Sequence, residues 1–194
     1  PQTHTFVVTY EGAQALNDTF ATLSTCPEYA TFLTELAAVS VPTEQTLAKS
    51  VYEAGDWTQD TAFAVFEINV RNEASYIEAY KKFTDAAVAN GQLTSSFGVE
   101  RVVAGDEYTH FAFIGGTDMA NLMATIDLLN MDNADFAEFQ NSVRRNRSIV
   151  RRGIVTPIKA WDYYIERKKR GRSAPFFIRP LTLHCLYLTL FLKH

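Results

Sequence analysis

The chain has 194 residues, 47% of them hydrophobic and 13% aromatic, which excludes intrinsic disorder for most of its length and allows a real core in one domain or one and a half small ones. Its net charge of −4 hides a split: residues 1–143 carry 5 Lys+Arg against 20 Asp+Glu, a net of −15, and residues 144–194 carry 13 against 2, a net of +11. An asymmetry of this size points to an interaction tail or a foreign segment. Two cysteines, Cys26 and Cys185, exclude a disulfide framework, and neither has the spacing of a zinc ligand, so no metal site is expected.

Residues 5–10 alternate Phe6, Val8 and Tyr10 with Thr5, Val7 and Thr9, which predicts a strand. Leu16, Phe20 and Leu23 come next at helical spacing. Thr25-x-x-Glu28 reads as a capping box for a second helix with Pro27 in its first turn, and Tyr29, Phe32, Leu33 and Leu36 give that helix an apolar stripe. Pro42 ends it, and residues 46–54 read as a strand. The second unit is shorter. Ala62, Ala64, Phe66, Ile68 and Val70 share one strand face, and Asn72 can cap a helix carrying Tyr76, Ile77, Tyr80, Phe83 and Val88. Asn90-Gly91 closes that helix, and Phe97, Val99, Val102 and Val103 mark the returning strand. A third unit begins at Tyr108, with helices capped by Asp118 and Asp132 and a closing strand over residues 149–160, where Pro157 indicates a sheet edge.

The third unit repeats the first. Thr3-His4 matches Thr109-His110; Leu16, Phe20 and Leu23 match Leu122, Ile126 and Leu129; Tyr29, Phe32 and Leu36 match Phe136, Phe139 and Val143; Trp57 matches Trp161. The chain therefore reads β-α-β three times, with two long units flanking a short one. Three units leave one half unpaired. They share one sheet, or the odd half pairs with a partner chain or with a missing N-terminal half.

On the β-α-β-β-α-β order and long amphipathic helices of residues 4–162, the chain resembles the dimeric α+β barrel superfamily. That resemblance implies ferredoxin-like β-α-β units in tandem, an antiparallel sheet with helices on one face, and pairing of such domains into a barrel. It groups cofactor-independent monooxygenases, haem-degrading enzymes, dehydratases and ligand binders, and no catalytic signature of any of them stands in this sequence. The expected organisation is a first half at residues 1–57, orphaned from its N-terminal counterpart; a ferredoxin-like domain at residues 58–165; and a basic, then apolar, tail at residues 166–194 outside the fold. The tail reads as a membrane anchor with a positive flank, a basic arm or non-native sequence, and its abrupt composition change favours the last. Because the sequence opens on Pro1, two origins stand open: a removed leader, giving a secreted or periplasmic protein, or a cytoplasmic protein read as a fragment.

The candidate catalytic residues are His110, His4 and Glu67. Histidine titrates near neutral pH and ligates metals, and equivalent histidines of a repeat can converge on one cleft. Glu67 shares its strand face with Phe63 and Val65, so burial would raise its pKa, unless it faces solvent or pairs with Arg101. The candidate ligand-binding residues are Tyr52, Tyr108, Arg101 and Trp161. Arg144, Arg145, Arg147, Arg151 and Arg152 cluster at a helix end, where they suit the helix dipole. Nucleic acid is not an expected partner, because no RNA-recognition signature is present and residues 1–143 would repel phosphates. No cofactor is specified. The expected function is binding of a small, mostly apolar molecule in a cleft between sheet and helices. The alternatives are a cofactor-independent oxygenase or haem-linked enzyme of the same superfamily using His110 or His4, and a membrane-tethered structural protein. A homo-oligomer is expected where the odd half finds no partner within the chain.

Overall fold

The computed structural model describes residues 4–158 and 186–193. It is an α+β fold with the order β1 (His4–Tyr10), α1 (Ala13–Leu23), α2 (Pro27–Val39), β2 (Val41–Ala54), β3 (Ala62–Val70), α3 (Glu73–Ala89), β4 (Phe97–Ala104), β5 (His110–Gly116), α4 (Met119–Ile126), α5 (Ala134–Val143), β6 (Arg147–Val155) and β7 (Leu186–Lys193). A short 3-10 turn, Trp57–Gln59, joins β2 to β3. The strands form one antiparallel sheet in the order β1-β7-β2-β4-β5-β3-β6. All three sequence units thus share a sheet, and its five-stranded part β2-β4-β5-β3-β6 carries the core.

Local chemistry accounts for most element ends. The Asn72 side chain accepts from the Ser75 amide at 3.0 Å and that of Asp118 from Asn121 at 2.7 Å, each satisfying an orphan amide of a helix start. Gly91, at φ +68°, turns the chain out of α3 in the left-handed conformation that glycine adopts without strain. Two caps differ from expectation. α5 is capped by Asn133, whose side-chain carbonyl accepts from Phe136 at 3.0 Å, rather than by Asp132. The Thr25–Glu28 box does not form: Cys26 is the N-cap, the Thr25 hydroxyl donates back to Thr22 at 3.1 Å, and Glu28 accepts from the Cys26 thiol at 3.2 Å. Pro27 at the first helical position starts this helix, since it lacks the amide a cap would satisfy.

Within the tail expected at residues 166–194, Leu186–Lys193 form β7, which pairs with β1 on one side and β2 on the other. The run LYLTLFLK is made of residues that suit a pleated strand, and β1 and β2 present two edges to it. Residues 159–185 lie outside the described residues.

One face of the sheet carries the helices. Ile68, Phe97, Val99, Ala112 and Ile114 meet Tyr76, Tyr80, Phe83 and Ala87 of α3 and Phe139 and Val143 of α5. Ala62, Ala64 and Leu122 extend this core under α4. Aromatic rings interlock here: Phe83 stacks on Phe139 at 5.4 Å, and Tyr76 and Tyr80 meet the same ring edge-on at 6.0 and 6.1 Å. In contrast, no residue of α1 or α2 is buried.

The sheet curls strongly. β2 and β6 stand four strand steps apart in the order, about 19 Å on a flat sheet. Yet Arg151 of β6 reaches Glu44 of β2 at 3.6 Å. The helix-free face must therefore be concave, with β2 and β6 folding toward each other over it.

Candidate functional site

Register places five side chains in one row across the concave face. Ser50 of β2 lies opposite Glu100 of β4, Glu100 opposite Phe111 of β5, Phe111 opposite Glu67 of β3, and Glu67 opposite Arg151 of β6. Paired residues of neighbouring strands project to the same side. The flanking row holds Glu53, Gly98, Phe113, Val65 and Gly153. Gly98 is required there, because a Cβ would lie 2.6 Å from the Phe113 ring. Phe63 meets Phe113 edge-on at 6.4 Å.

The buried carboxylates of this region differ in their partners. Asp60 accepts from the Ser96 amide at 3.0 Å and from its hydroxyl. Glu67 accepts two bonds from Arg151, both of 2.7 Å, in the bidentate geometry that suits a planar guanidinium. Glu100 is 0% exposed, and neither of its carboxylate oxygens has a hydrogen-bond partner of ordinary geometry. Its pKa is pushed up to about 9, first by burial and then by the neighbouring Glu53 carboxylate; the Ser50 hydroxyl pulls weakly the other way. At neutral pH Glu100 is therefore a neutral carboxylic acid, able both to donate and to accept.

The turn from β4 to β5 covers one end of this face. Gly105 sits at φ +117°, and a Cβ on it would lie 1.9 Å from the Gln45 carbonyl, so only glycine lets the turn meet β2. That approach lets Thr46 donate to Asp106. Tyr108 is buried beside them, and its hydroxyl pKa is raised by burial first, then by Asp106 and Glu67.

The candidate residues from the sequence divide between the two faces. Glu67 is buried, and its partner is Arg151 and not Arg101. Arg101 instead reaches Glu73 at 3.3 Å on the helix side. His110 is buried next to it, with Nε2 3.0 Å from Glu73 Oε2 and Nδ1 2.9 Å from Thr109 Oγ1, so both ring nitrogens are engaged. His4 lies exposed on β1, four strand steps from β5, whereas His110 is buried. Tyr52 belongs to the helix-side core, 6.0 Å edge-on from Tyr80 and 6.2 Å from Phe97, with the Lys81 amine 5.7 Å above its ring. Trp161 lies outside the described residues. Arg101, Tyr108 and His110 do share an open groove of about 420 Å³ along the β4–β5 hairpin. The space expected between sheet and helices is filled by the aromatic core. Of the basic cluster, Arg147 bonds Gln140 at 2.7 Å and stands 5.5 Å over the Phe139 ring, and Arg151 serves Glu67. Among the described residues, no group of three or more His, Cys, Asp or Glu side chains could hold a metal ion, and no helix is long and apolar enough to cross a membrane.

Glu100 is the residue that sequence reasoning missed. Val102 on its own strand face was the available signal, since an apolar neighbour marks that face as more than a solvent surface.

No protein-family model matches the chain, and no curated protein matches it. A solved structure described as that of a major regulator of staphylococcal pathogenesis is similar at TM-score 0.40 and 11% identity, over 80% of this chain and 100% of that chain. A likeness at that level carries no argument.

Proposed function

We propose that the protein binds a small, mostly apolar molecule, and that it is an α+β barrel protein of ferredoxin-like β-α-β units whose ligand sits against the concave face of the sheet. The strand order β6-β3-β5-β4, taken with the element order β3-α3-β4-β5-α4-α5-β6, supports the ferredoxin-like unit. The curl that brings Glu44 to Arg151 supports the barrel.

The observation that carries the binding reading is Glu100. A buried polar group without a partner costs about 1–3 kcal/mol, and such a group in a native fold calls for a role. Its surroundings fix the chemistry it would meet. Phe111, Phe113 and Val65 supply apolar surface, and the neutral acid supplies one donor and one acceptor. The matching ligand is an apolar body with one carbonyl or hydroxyl. In this reading the ligand lies on the face opposite the expected cleft.

The test uses aromatic ketones and alcohols, acetophenone and benzyl alcohol first, with ligand-observed NMR on the full chain. Binding should survive Glu100→Gln, which keeps a neutral donor and acceptor, and weaken at least tenfold in Glu100→Leu. Binding that is absent, or indifferent to Glu100→Leu, would sink the reading.

A further inference from the structure

The strand pairing of the first unit copies that of the third, residue for residue. β3 lies between β5 and β6, with Ile68 opposite His110 and Ala62 opposite Gly116. β7 lies between β1 and β2, with Leu192 opposite His4 and Leu186 opposite Tyr10. His4 and His110 are the matched residues of the sequence repeat, so the two registers coincide. The irregularity coincides as well. Between Glu67 and Ile68 the partner strand skips from Arg151 to Ile149, and between Phe191 and Leu192 it skips from Glu44 to Pro42. A slip of one residue would turn every side chain to the other face, so a shared register and a shared bulge mark one strand site built twice.

The two sites differ in their helix cover. β3 leads into α3, and α3 covers α5: Phe136 and Phe139 lie 5.6 and 5.4 Å from Phe83. Phe139 is 5% exposed, while its repeat counterpart in α2, Phe32, is 45% exposed. Phe20 of α1 is exposed too, whereas α4 buries Leu122. Among the described residues the first unit thus has its strand position filled and no helix over its α2 stripe.

We propose that the slot between β1 and β2, together with the apolar stripe of α2, is a docking site for an external β-strand and helix of the β3–α3 type, and that β7 holds the strand position of that segment. The occupant is defined by the repeat: a strand that pairs with β1 and β2, then an amphipathic helix with aromatic residues at i, i+4 and i+7, as Tyr76, Tyr80 and Phe83 stand in α3. A second copy of this chain is a poor source, because its own Tyr76, Tyr80 and Phe83 are buried under α5. The sheet edges fit the same occupant. β4 returns from α3 to bridge β5 and β2, and the equivalent returning strand would bridge β1 and β6, the outer strands of the sheet. This inference stands apart from the ligand reading and uses none of its residues.

The test is a fusion in which a copy of residues 58–104 precedes the full chain through a flexible linker, which supplies the segment at millimolar effective concentration. Hydrogen exchange is then read at the amides of residues 31–36 and 186–193. The expected result is exchange at least tenfold slower in α2 and at least tenfold faster in β7, as the new strand takes its place. Phe32→Asp in the fusion should return α2 to the exchange of the unfused chain while leaving α3 and α5 unchanged. Unchanged α2 exchange in the fusion overturns the proposal. So does a dimer of the unfused chain that Phe32→Asp dissociates, since the occupant would then be a second copy.

Discussion

Glu100→Gln should flatten the dependence of stability on pH between 5 and 9. In the folded protein the Glu100 carboxyl holds its proton up to about pH 9, against an ordinary value of 4.5. Between those limits the folded state binds one proton that the unfolded state has released. Stability then falls as pH rises, by up to about 1.4 kcal/mol per unit, and levels off above pH 9. Between pH 5 and 9 the loss sums to about 5 kcal/mol. Glutamine has nearly the same shape and cannot ionise, so every other titrating group remains as a common background. Urea unfolding of both proteins at pH 5, 7 and 9, extrapolated linearly, gives the comparison. The advantage of the Gln variant should grow by about 5 kcal/mol from pH 5 to 9. Growth below about 2 kcal/mol would refute a carboxyl held neutral by burial. A Gln variant that is the less stable protein at pH 9 would show a carboxylate ionised and paired in the folded state.

Arg151→Ala removes both donors of Glu67 and leaves that carboxylate buried; with the guanidinium itself 43% exposed, the cost in urea unfolding should be about 2 kcal/mol, and Glu67→Gln in the same background should recover part of it. Hemin added to the full chain should produce no His110-dependent Soret band, because Glu73 and Thr109 already engage both ring nitrogens; a band that disappears in His110→Ala would restore the haem-linked reading. Phe139→Ala should destabilise the chain by about 3–5 kcal/mol, while Phe32→Ala, at the matched position of the repeat, should cost under about 1 kcal/mol; equal costs would show α2 covered in solution.

The periodic signals carried the α+β class. Strands and helices with one apolar face leave period-2 and period-3.6 patterns that local reading detects, and Asn72, Asp118 and Asn90-Gly91 act within one helical turn. The site was not legible for a different reason. Glu100 stands in a strand whose other face, Phe97 and Val99, packs under α3, and a charged residue on the reverse face normally meets solvent. Its burial goes with the curl, which is visible only once Arg151 is found beside Glu44, 107 residues away in sequence. The same distance misdirected the pairing of Glu67, since Arg151 and Arg101 are equally plausible until β6 is placed beside β3. Residue type does not separate the two roles of Tyr52: an aromatic at a strand end fills a core as readily as it lines a pocket, and here it packs on Tyr80 and Phe97.

Burial is a property of two surfaces, and the repeat isolates that fact within one chain. Tyr29, Phe32 and Leu36 carry the same helical stripe as Phe136, Phe139 and Val143, so local preference for burial is matched between the copies. Val143 is fully buried and Leu36 is not. Neither helix propensity nor hydrophobicity distinguishes them; the presence of α3 over one and not the other does. An exposed apolar stripe is retained at a cost in solubility, because surfaces of this kind associate. The same argument applies to the sheet. Among the described residues β1 and β6 are the two end strands of the sheet order, each beside one neighbouring strand. An apolar helix stripe exposed among the described residues, beside a strand slot that β7 holds, is the complement of a strand and helix, and the short unit of this chain, residues 62–104, shows what such a pair looks like once it is in place.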